Sequence, residues 1–592
     1  MNASEQEREM MPAGKPSSHR VVRVLPDVPA IDKLFDYVVP DRIDPDTVTV
    51  GTMVRIELHG RRVGGWVVAD RVEPPPGVEL KPVAKVTGYG PTPDVIDLAR
   101  WAAHRWYGRV ATLLTTASPP RAVVGLPTPE VASSMVAQGL PDELIDGAFD
   151  GGTRVIQLPP GDDVYGLCLA AVARGNALIV APSVAEARHL RLRLRRSGVA
   201  ASLVPDEWAR AAVGGTVIGA RASVFAPVDD LAAVLVIDEH DEVHQEERMP
   251  TWNARDVAVE RARRAGVPCV LVSPAPSLEA REHGSVAGPS RRRERDGWPL
   301  VEVIDRRADD PTRGGLFPEK LVPWLRREGR VVCVLNRTGR SRLLACARCG
   351  ELVRSSDGRE PMVMVDQDLV APRSGESRPS VCAECGATAL KNLRLGITRA
   401  REELEALLGE QVVEVSGATA GSDLPEARVY IGTEAVLHQV PDAAVVAFLD
   451  FDQELLAPRY RAGEQALGLI VRAARLLGGR QQGGRLVVLT RQPRHVVIQA
   501  ALHADPSRVA ASEAETRRLL GLPPFGVMAQ VSGASGPSFI EALGSPLGVE
   551  VQGPSDDAWL LRAPDHATLA DALAAVRRPS GRFRVEVDPL RV

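Results

Sequence analysis

Residues 233–241 of this 592-residue chain read Ala-Val-Leu-Val-Ile-Asp-Glu-His-Asp. Five apolar residues followed directly by carboxylates are typical of a buried strand that ends at a ligand-binding edge, because parallel strands of an α/β sheet present their carboxyl ends along one edge. At such an edge, Asp238 is placed to bind Mg²⁺ and Glu239 to orient a water molecule beside a nucleotide. The motif alone is weak evidence, since acidic residues end strands in many α/β proteins.

Other runs rich in Val, Ile and Leu flank this strand and recur in the second half of the chain. Runs of this kind favour parallel sheets that are covered by helices on both faces. The sequence therefore predicts two α/β lobes, at residues 153–330 and 331–524. The clearest runs are Ala177–Ala181, Pro268–Ser273, Val331–Leu335, Val429–Gly432, Ala444–Leu449 and Leu486–Leu489.

The residues outside the two lobes have different patterns. Residues 1–20 are polar and predict a disordered tail, and short alternating strands followed by one helix predict a β-rich domain at residues 21–120. A stretch containing Pro, Gly and Asp predicts a linker at residues 121–152. Residues 525–592 indicate a small α+β domain. The predicted fold class is therefore a multidomain α/β protein, in line with the length of the chain.

Two Cys-x-x-Cys pairs, Cys346 with Cys349 and Cys382 with Cys385, are the most specific chemical signal in the chain. Each pair presents two thiolates to one tetrahedral ion, so the set predicts a single structural Zn²⁺ in a module at residues 345–390. The alternative is a redox pair or unrelated thiols. A closed Cys₄ site leaves no coordination position for a substrate, so this zinc would fold the module without taking part in catalysis.

Composition excludes some classes of protein. The net charge is −4, and no apolar run reaches the length of a membrane span or a secretory signal, which predicts a cytoplasmic protein without membrane contact. Arginine-rich clusters occur at residues 188–196 and 291–295. Such clusters are more often solvated surfaces than tracks for phosphates.

Further motifs accompany the acidic strand: Trp252–Val259, Ser273–Glu279, Leu335–Gly339, Ile431–Leu437, Phe448–Asp452 and Leu522–Phe525. In this order and spacing the chain resembles the PriA family of primosomal proteins, which restart bacterial replication forks. The resemblance implies two RecA-like helicase lobes, an N-terminal domain that holds the 3′ end of the leading strand, and a zinc module in the second lobe. The partners that it implies are fork DNA with a 3′ end, primosome proteins, single-strand-binding protein and the replicative helicase.

The resemblance also assigns a nucleic-acid-binding pocket to Phe35, Asp36, Gly60 and Lys81. The set is chemically reasonable: an aromatic ring stacks on a base, a carboxylate accepts from a 3′-hydroxyl, a glycine admits the DNA close to the backbone, and a lysine binds phosphate. Without the resemblance, Phe35 as a core residue and Asp36 as a turn residue would be the simpler interpretation.

The chain departs from the family where ATP would bind. The family's phosphate loop ends in Gly-Lys-Thr, whereas residues 159–163 read Pro-Pro-Gly-Asp-Asp, and no lysine occurs between residues 86 and 319. Because the lysine neutralises the β- and γ-phosphates, two aspartates in its place would repel a triphosphate. The acidic motif is Asp-Glu-His instead of Asp-Glu-Glu-His. The segment Val471–Gly478 lacks the second of two arginines expected near the γ-phosphate.

Two structural parts of the family are also missing from the sequence. The linker is too short for the family's winged-helix domain. Residues 350–381 contain neither Cys nor His, so the four ligands of a second zinc are absent.

These departures predict a replication restart protein that recognises stalled or abandoned forks and promotes primosome assembly and helicase loading without helicase activity. Asp238 and Glu239 are then remnants of a catalytic site, and ATP with Mg²⁺ is not expected as a cofactor. Two alternatives stay open: a weak ATP-dependent 3′-to-5′ helicase with an atypical nucleotide site, and a protein scaffold that does not bind forks.

Overall fold

The computed structural model describes residues 20–28, 31–73, 78–129, 142–309, 315–336, 344–349, 351, 353–356, 362–365, 368–371, 374–392, 397–415 and 424–591. The tail predicted at residues 1–20 lies, except for Arg20, outside these ranges, as do Arg337 to Gly339 of one sequence motif. Within the described residues, no helix is both long and apolar enough to cross a bilayer.

The N-terminal domain is an antiparallel sheet of five strands followed by two helices. Alternate residues of the third strand, Val54, Ile56 and Leu58, are buried, as expected for a strand with one face on a core. The strand order is β2-β1-β4-β3-β5. The elements are β1 (Val21–Pro26), β2 (Phe35–Val38), β3 (Met53–Leu58), β4 (Arg61–Asp70), β5 (Lys85–Gly88), α1 (Pro93–Arg105) and α2 (Val110–Ala117).

The first lobe is a parallel sheet of seven strands in the order β12-β6-β11-β10-β7-β9-β8. The acidic motif follows its central strand, β10. The strands are β6 (Thr153–Gln157), β7 (Asn176–Val180), β8 (Ala201–Leu203), β9 (Thr216–Gly219), β10 (Leu231–Ile237), β11 (Cys269–Ser273) and β12 (Ser285–Ala287). Its helices are α3 (Tyr165–Val172), α4 (Val184–Arg196), α5 (Trp208–Ala211), α6 (Ala254–Ala265) and α7 (Leu278–His283). A further helix, α8 (Arg291–Asp296), connects this lobe to the second lobe.

The second lobe is a parallel sheet of six strands in the order β13-β23-β22-β14-β21-β20. Its strands are β13 (Leu300–Asp305), β14 (Val331–Val334), β20 (Val412–Val415), β21 (Val429–Gly432), β22 (Val445–Phe448) and β23 (Arg485–Thr490). Its helices are α9 (Val322–Leu325), α10 (Ile397–Leu408), α11 (Val436–Gln439), α12 (Asp452–Leu455), α13 (Ala462–Leu477), α14 (Val496–His503) and α15 (Ser507–Leu520).

A small β-rich module is inserted between β14 and α10. One antiparallel pair, β15 (Leu344–Cys346) with β19 (Leu390–Asn392), stands beside a three-stranded sheet of β16 (Val363–Val365), β17 (Asp368–Val370) and β18 (Ser377–Pro379). Its core includes Met362 and Leu369, both fully buried. Apolar packing therefore supports the segment between the two cysteine pairs.

The C-terminal domain is an antiparallel sheet with two helices. Its strand order is β25-β26-β24-β27. The elements are β24 (Val527–Ser532), α16 (Gly536–Leu543), β25 (Glu550–Ser555), β26 (Ala558–Ala563), α17 (His566–Ala574) and β27 (Arg584–Val587). With this domain, the predicted multidomain α/β fold class is confirmed.

Two predicted boundaries differ from the structure. Residues 298–305 were expected in the first lobe, but β13 pairs with β23, and Trp298 is buried in the core of the second lobe. Part of the predicted linker, residues 142–150, is packed on the first lobe through Leu144 and Phe149. Both segments are short and flanked by charged residues, so their pattern does not show which core they join.

The position of Trp298 leads to a stability prediction. Its ring is 1% exposed, and its Nε1 donates to Glu294 Oε1 at 2.8 Å. We expect Trp298→Ala to lower the free energy of unfolding of the second lobe by about 3–5 kcal/mol, because it leaves a large cavity. Denaturant titration measures the free energy of unfolding, and Leu519→Ala, at an exposed position, is the control. Equal stability of the two variants would contradict the placement of Trp298 in the core of the second lobe.

Candidate functional site

The predicted DNA-end pocket is built on β2 and the segment that runs beside it. Val38 N donates to Lys81 O at 3.0 Å, which sets Lys81 against the strand that carries Phe35 and Asp36. Gly60 lies in the two-residue turn between β3 and β4, with φ of 76°, and its Cα faces open space. Lys81 and Gly60 therefore both lie at the surface of the domain.

The side chains of this pocket are held by two ion pairs that the sequence did not predict. Arg23, opposite Asp36 in the β1–β2 register, donates to its carboxylate at 2.7 and 3.1 Å. Lys81 Nζ donates to Glu57 Oε1 at 2.7 Å, and this hydrogen bond lowers the pKa of Glu57. The Lys81–Glu57 pair is exposed, so its charges are screened and Lys81 can exchange Glu57 for a ligand, whereas the Asp36 side chain of the other pair is only 8% exposed.

Phe35 and Asp36 face opposite sides of β2, because side chains alternate along a strand. Phe35 packs at the edge of the N-terminal core on the same side as Tyr37, whose hydroxyl donates to Glu57 O at 3.0 Å. Lys33 Nζ lies 5.6 Å from the centroid of the Phe35 ring, a cation–π distance. The Phe35 ring therefore has the Lys33 ammonium group beside it, and the Asp36 carboxylate lies on the other side of β2.

The four predicted metal ligands form one cluster. The Sγ atoms of Cys346, Cys349, Cys382 and Cys385 all lie within 4.8 Å of one another. Two of the separations are 3.4 Å (Cys346 to Cys385) and 3.6 Å (Cys349 to Cys382). Thiolates around a tetrahedral metal with bonds of about 2.3 Å stand about 3.8 Å apart, so the cluster fits one metal ion.

The local backbone explains this arrangement. Arg348 N donates to Cys346 Sγ at 3.3 Å, as the amides of a metal-binding knuckle do. Gly386 N donates to Cys382 O, and Gly386 has φ of 69°, a conformation that glycine adopts without strain. Each cysteine pair is thus closed by a turn, and the β15–β19 ladder sets the two turns face to face.

Asp238, the predicted Mg²⁺ ligand, is buried and paired with an arginine of the second lobe. The chain turns sharply after β10, where Asp238 has φ of 54°. Both Asp238 carboxylate oxygens accept from the guanidinium of Arg475 on α13. The position at which a metal ion would neutralise the carboxylate is therefore taken by a side-chain cation.

Glu239, the expected partner of the attacking water, is 1% exposed and fully engaged. Its carboxylate accepts from Ser277 N at 2.8 Å and from Ser277 Oγ at 2.7 Å, and Arg255 Nη1 lies 3.4 Å away. These donors saturate the group, so it is a structural anchor between β10 and the start of α7.

A second cross-lobe pair follows three residues later. Arg472 Nη2 donates to Asp241 Oδ2 at 2.7 Å. Burial acts to raise the pKa of Asp241, but Arg472 and His240 outweigh it and lower that pKa to about 2. His240 Nδ1 lies 2.8 Å from Ser273 Oγ, which joins the ends of β10 and β11.

The aspartates that replace the phosphate loop are also paired. Asp162 accepts from Arg293 Nε at 2.7 Å, and Asp163 is bound by the Arg193 guanidinium, whose Nη1 donates at 3.0 Å. Burial acts to raise the pKa of Asp163, but the hydrogen bonds and the charge of Arg193 act against it, and the pKa is lowered overall. The residues that hold these carboxylates could not be identified from sequence, because arginines are frequent and their partners are remote in the chain.

An open cleft of about 1000 Å³ remains between the two lobes and the C-terminal domain. Its walls carry opposite charges in contact: Glu279 with Arg461 at 2.5 Å, and Glu464 with Arg517 at 2.6 Å. Arg461 and Arg517 lower the pKa of Glu279 to about 2 against the effect of burial. Arg461 and Arg517, two cations of the cleft wall, are thus already paired with carboxylates of the protein.

Comparison with known proteins identifies the N-terminal domain. Residues 23–119 match the family model of the PriA 3′ DNA-binding domain. This range contains all four residues of the predicted DNA-end pocket.

Relatives align over most of the chain. The probable replication restart protein PriA of Mycobacterium leprae is 26% identical over 95% of this chain and 99% of its own length. The replication restart protein PriA of Bacillus subtilis is 26% identical over 58% of this chain and 46% of its own length.

Solved helicase structures have low similarity scores. RecG bound to a three-way DNA junction has 11% identity and a TM-score of 0.37, covering 72% of this chain and 53% of its own. A DEAD box protein from Methanococcus jannaschii has 10% identity and a TM-score of 0.30, covering 63% and 87%. The sequence matches are the informative ones: the chain is similar to PriA replication restart proteins over most of its length, and residues 23–119 match their 3′ DNA-binding domain.

Proposed function

We propose that this protein recognises the 3′ end of a DNA strand at stalled or abandoned replication forks and promotes primosome assembly there, without unwinding DNA by ATP hydrolysis. The match of residues 23–119 to a 3′ DNA-binding domain supports recognition of the 3′ end. The cross-lobe pairing of Asp238 with Arg475 supports the absence of unwinding by ATP hydrolysis. The partners are then fork DNA, primosome proteins, single-strand-binding protein and the replicative helicase, in the cytoplasm.

In the proposed binding mode, the terminal nucleotide enters beside β2. Because β2 is an edge strand, Phe35 stacks on the base from one side of it and Asp36 accepts a hydrogen bond from the 3′-hydroxyl on the other, while Lys81 leaves Glu57 to bind a phosphate. Arg23 holds the Asp36 carboxylate in a fixed orientation, since it donates two hydrogen bonds to it. A 3′-phosphate in the same place would bring a second anion against Asp36.

We predict that the protein binds a model fork with a leading-strand 3′-hydroxyl more tightly than the same fork with a 3′-phosphate. Phe35→Ala should weaken binding to the hydroxyl fork by about 10-fold, because a base–aromatic stack is lost. Asp36→Ala should remove the discrimination between the two ends. Fluorescence anisotropy at one fixed salt concentration measures both effects.

The matched control for Phe35→Ala is Tyr89→Ala, which removes an exposed aromatic ring from another part of the same domain. It should bind both forks as the wild type does. Equal binding of the two forks by the wild type, or no binding, would favour a scaffold that does not recognise fork ends.

The absence of a motor is a separate prediction. We expect no ATP hydrolysis above background, with or without fork DNA, because Asp238 is neutralised by Arg475 and Glu239 is saturated by Ser277 and Arg255. A coupled phosphate-release assay measures the rate. Hydrolysis that requires Mg²⁺ and disappears in Asp238→Ala would refute this part and restore the weak-helicase alternative.

We propose that the cysteine cluster binds one structural Zn²⁺. Four thiolates suit this ion, and a closed tetrahedral site couples metal binding to the folding of a small module. Met362 and Leu369 form an apolar core between the cysteine pairs, in a segment without Cys or His, so a second ion is not needed there.

We predict one equivalent of zinc per chain by atomic emission. Cys382→Ser should lose most of it and make residues 344–392 sensitive to protease, because the module loses its cross-link. Cys168→Ala, which changes a buried thiol in the first lobe, should keep the zinc. Two equivalents, or full zinc retention by Cys382→Ser, would contradict the assignment.

A further inference from the structure

Three glycines from distant parts of the chain meet where a phosphate loop would hold its ligand. Gly161 N, an amide of the kind that such a loop points at phosphate, donates to Gly297 O at 2.9 Å. A Cβ on Gly161 would lie 2.8 Å from Gly479 N and 2.9 Å from Gly297 O. Gly161 belongs to the first lobe, Gly297 to the connector between the lobes (residues 290–297) and Gly479 to the second lobe. The backbones of these three parts are therefore in direct contact.

The other two glycines are equally confined. A Cβ on Gly297 would lie 2.3 Å from Pro159 Cβ, and one on Gly479 would lie 2.6 Å from Asp296 O. Real Cβ atoms do not approach other heavy atoms so closely, so only glycine permits this packing. The space left beside the contact is a shallow groove of about 330 Å³, in which Asp162 is paired with Arg293 and Asp296 with Arg292.

The connector, residues 290–297, is tied to both lobes. Arg293 donates to Asp162 and, at 2.8 Å, to Asp142, both in the first lobe. Arg291 donates to the carbonyl groups of His503 and Ala504, which lie at the carboxyl end of α14 in the second lobe. Cations at a helix carboxyl end are favourable because the free carbonyls there carry partial negative charge.

The C-terminal domain borders the cleft and is hydrogen-bonded to both lobes. Gln245 Nε2 of the first lobe donates to Asp588 O at 2.9 Å, and Tyr460 Oη of the second lobe donates to Pro589 O at 3.1 Å. One short segment of backbone thus accepts hydrogen bonds from both lobes.

We infer that the nucleotide cleft of this protein has become a permanent interface, which holds the two lobes closed in the absence of any nucleotide. Arg472 and Arg475 serve as fixed counter-ions of Asp241 and Asp238, and the glycine contact fills the phosphate position. The inference rests on the proposed absence of ATP turnover and extends it: the lobes do not alternate between open and closed states.

The glycine contact gives the sharpest test. Gly161 has no positive φ, so alanine is compatible with its backbone and acts only through the clash with Gly479 and Gly297. Gly288→Ala is the matched control, because a Cβ there meets nothing within 4 Å. Calorimetry of the full-length protein should show a Tm lower by about 2–5 °C for Gly161→Ala and unchanged for Gly288→Ala. Small-angle X-ray scattering should show a larger radius of gyration for Gly161→Ala alone.

Nucleotide provides the second arm of the test. Millimolar Mg²⁺–ATP should change neither the Tm nor the radius of gyration of the wild type, because a ligand stabilises only the state that it binds. A rise in Tm, or compaction on adding Mg²⁺–ATP, would overturn the inference. The inference would also be overturned if Gly161→Ala and Gly288→Ala had the same Tm and the same radius of gyration.

A double-mutant cycle covers the case in which Gly161→Ala does not fold. Asp238→Asn and Arg475→Gln should each lower the Tm, and the double variant should lower it by less than the two shifts combined. Strict additivity would show that the pair does not hold the lobes. None of these measurements uses DNA, so failure of fork recognition and failure of the closed interface are separate results.

Discussion

The ion pair between Asp238 and Arg475 determines how the two lobes can be arranged. A buried carboxylate at the end of a strand must be neutralised, and in a nucleotide-binding protein a metal ion does this only while nucleotide is present. Here the cation belongs to the other lobe. Separating the lobes would break this ion pair and return both charges to water. The closed arrangement therefore needs no nucleotide to neutralise Asp238, because the cation comes from the protein itself.

The remaining departures from the family follow the same electrostatic logic. Residues 159–163 supply no lysine to neutralise a triphosphate, so under the proposed function the site does not have to stay open for one. Asp162 then stands beside Arg293 of the connector, and the amide of Gly161 donates to a carbonyl group in place of a phosphate oxygen. Each group that a nucleotide would satisfy has a partner within the chain, as buried polar groups require.

Sequence patterns predicted the parts of the fold that depend on local signals. Apolar runs identified the strands of both sheets, and the spacing of four cysteines identified a cluster of thiols that fits a metal ion, because both signals are contained in short segments. The partners of Asp238 and Asp36 were not predictable, since Arg475 is 237 residues away and Arg23 becomes a neighbour only through strand pairing. The same holds for β13, whose membership of the second sheet depends on its pairing with β23.

The closed lobes give the DNA-end domain a fixed frame. Trp208 of the first lobe donates to Ala117 O at the end of α2, and Tyr107, after α1, packs on Phe539 of the C-terminal domain with ring centroids 5.8 Å apart. The apolar core is continuous through these three units. A helicase uses relative motion of its lobes to move DNA, and a rigid frame cannot do this. It can instead hold a bound 3′ end at a constant distance and angle from the surfaces of the lobes, which is what an assembly site for other proteins requires.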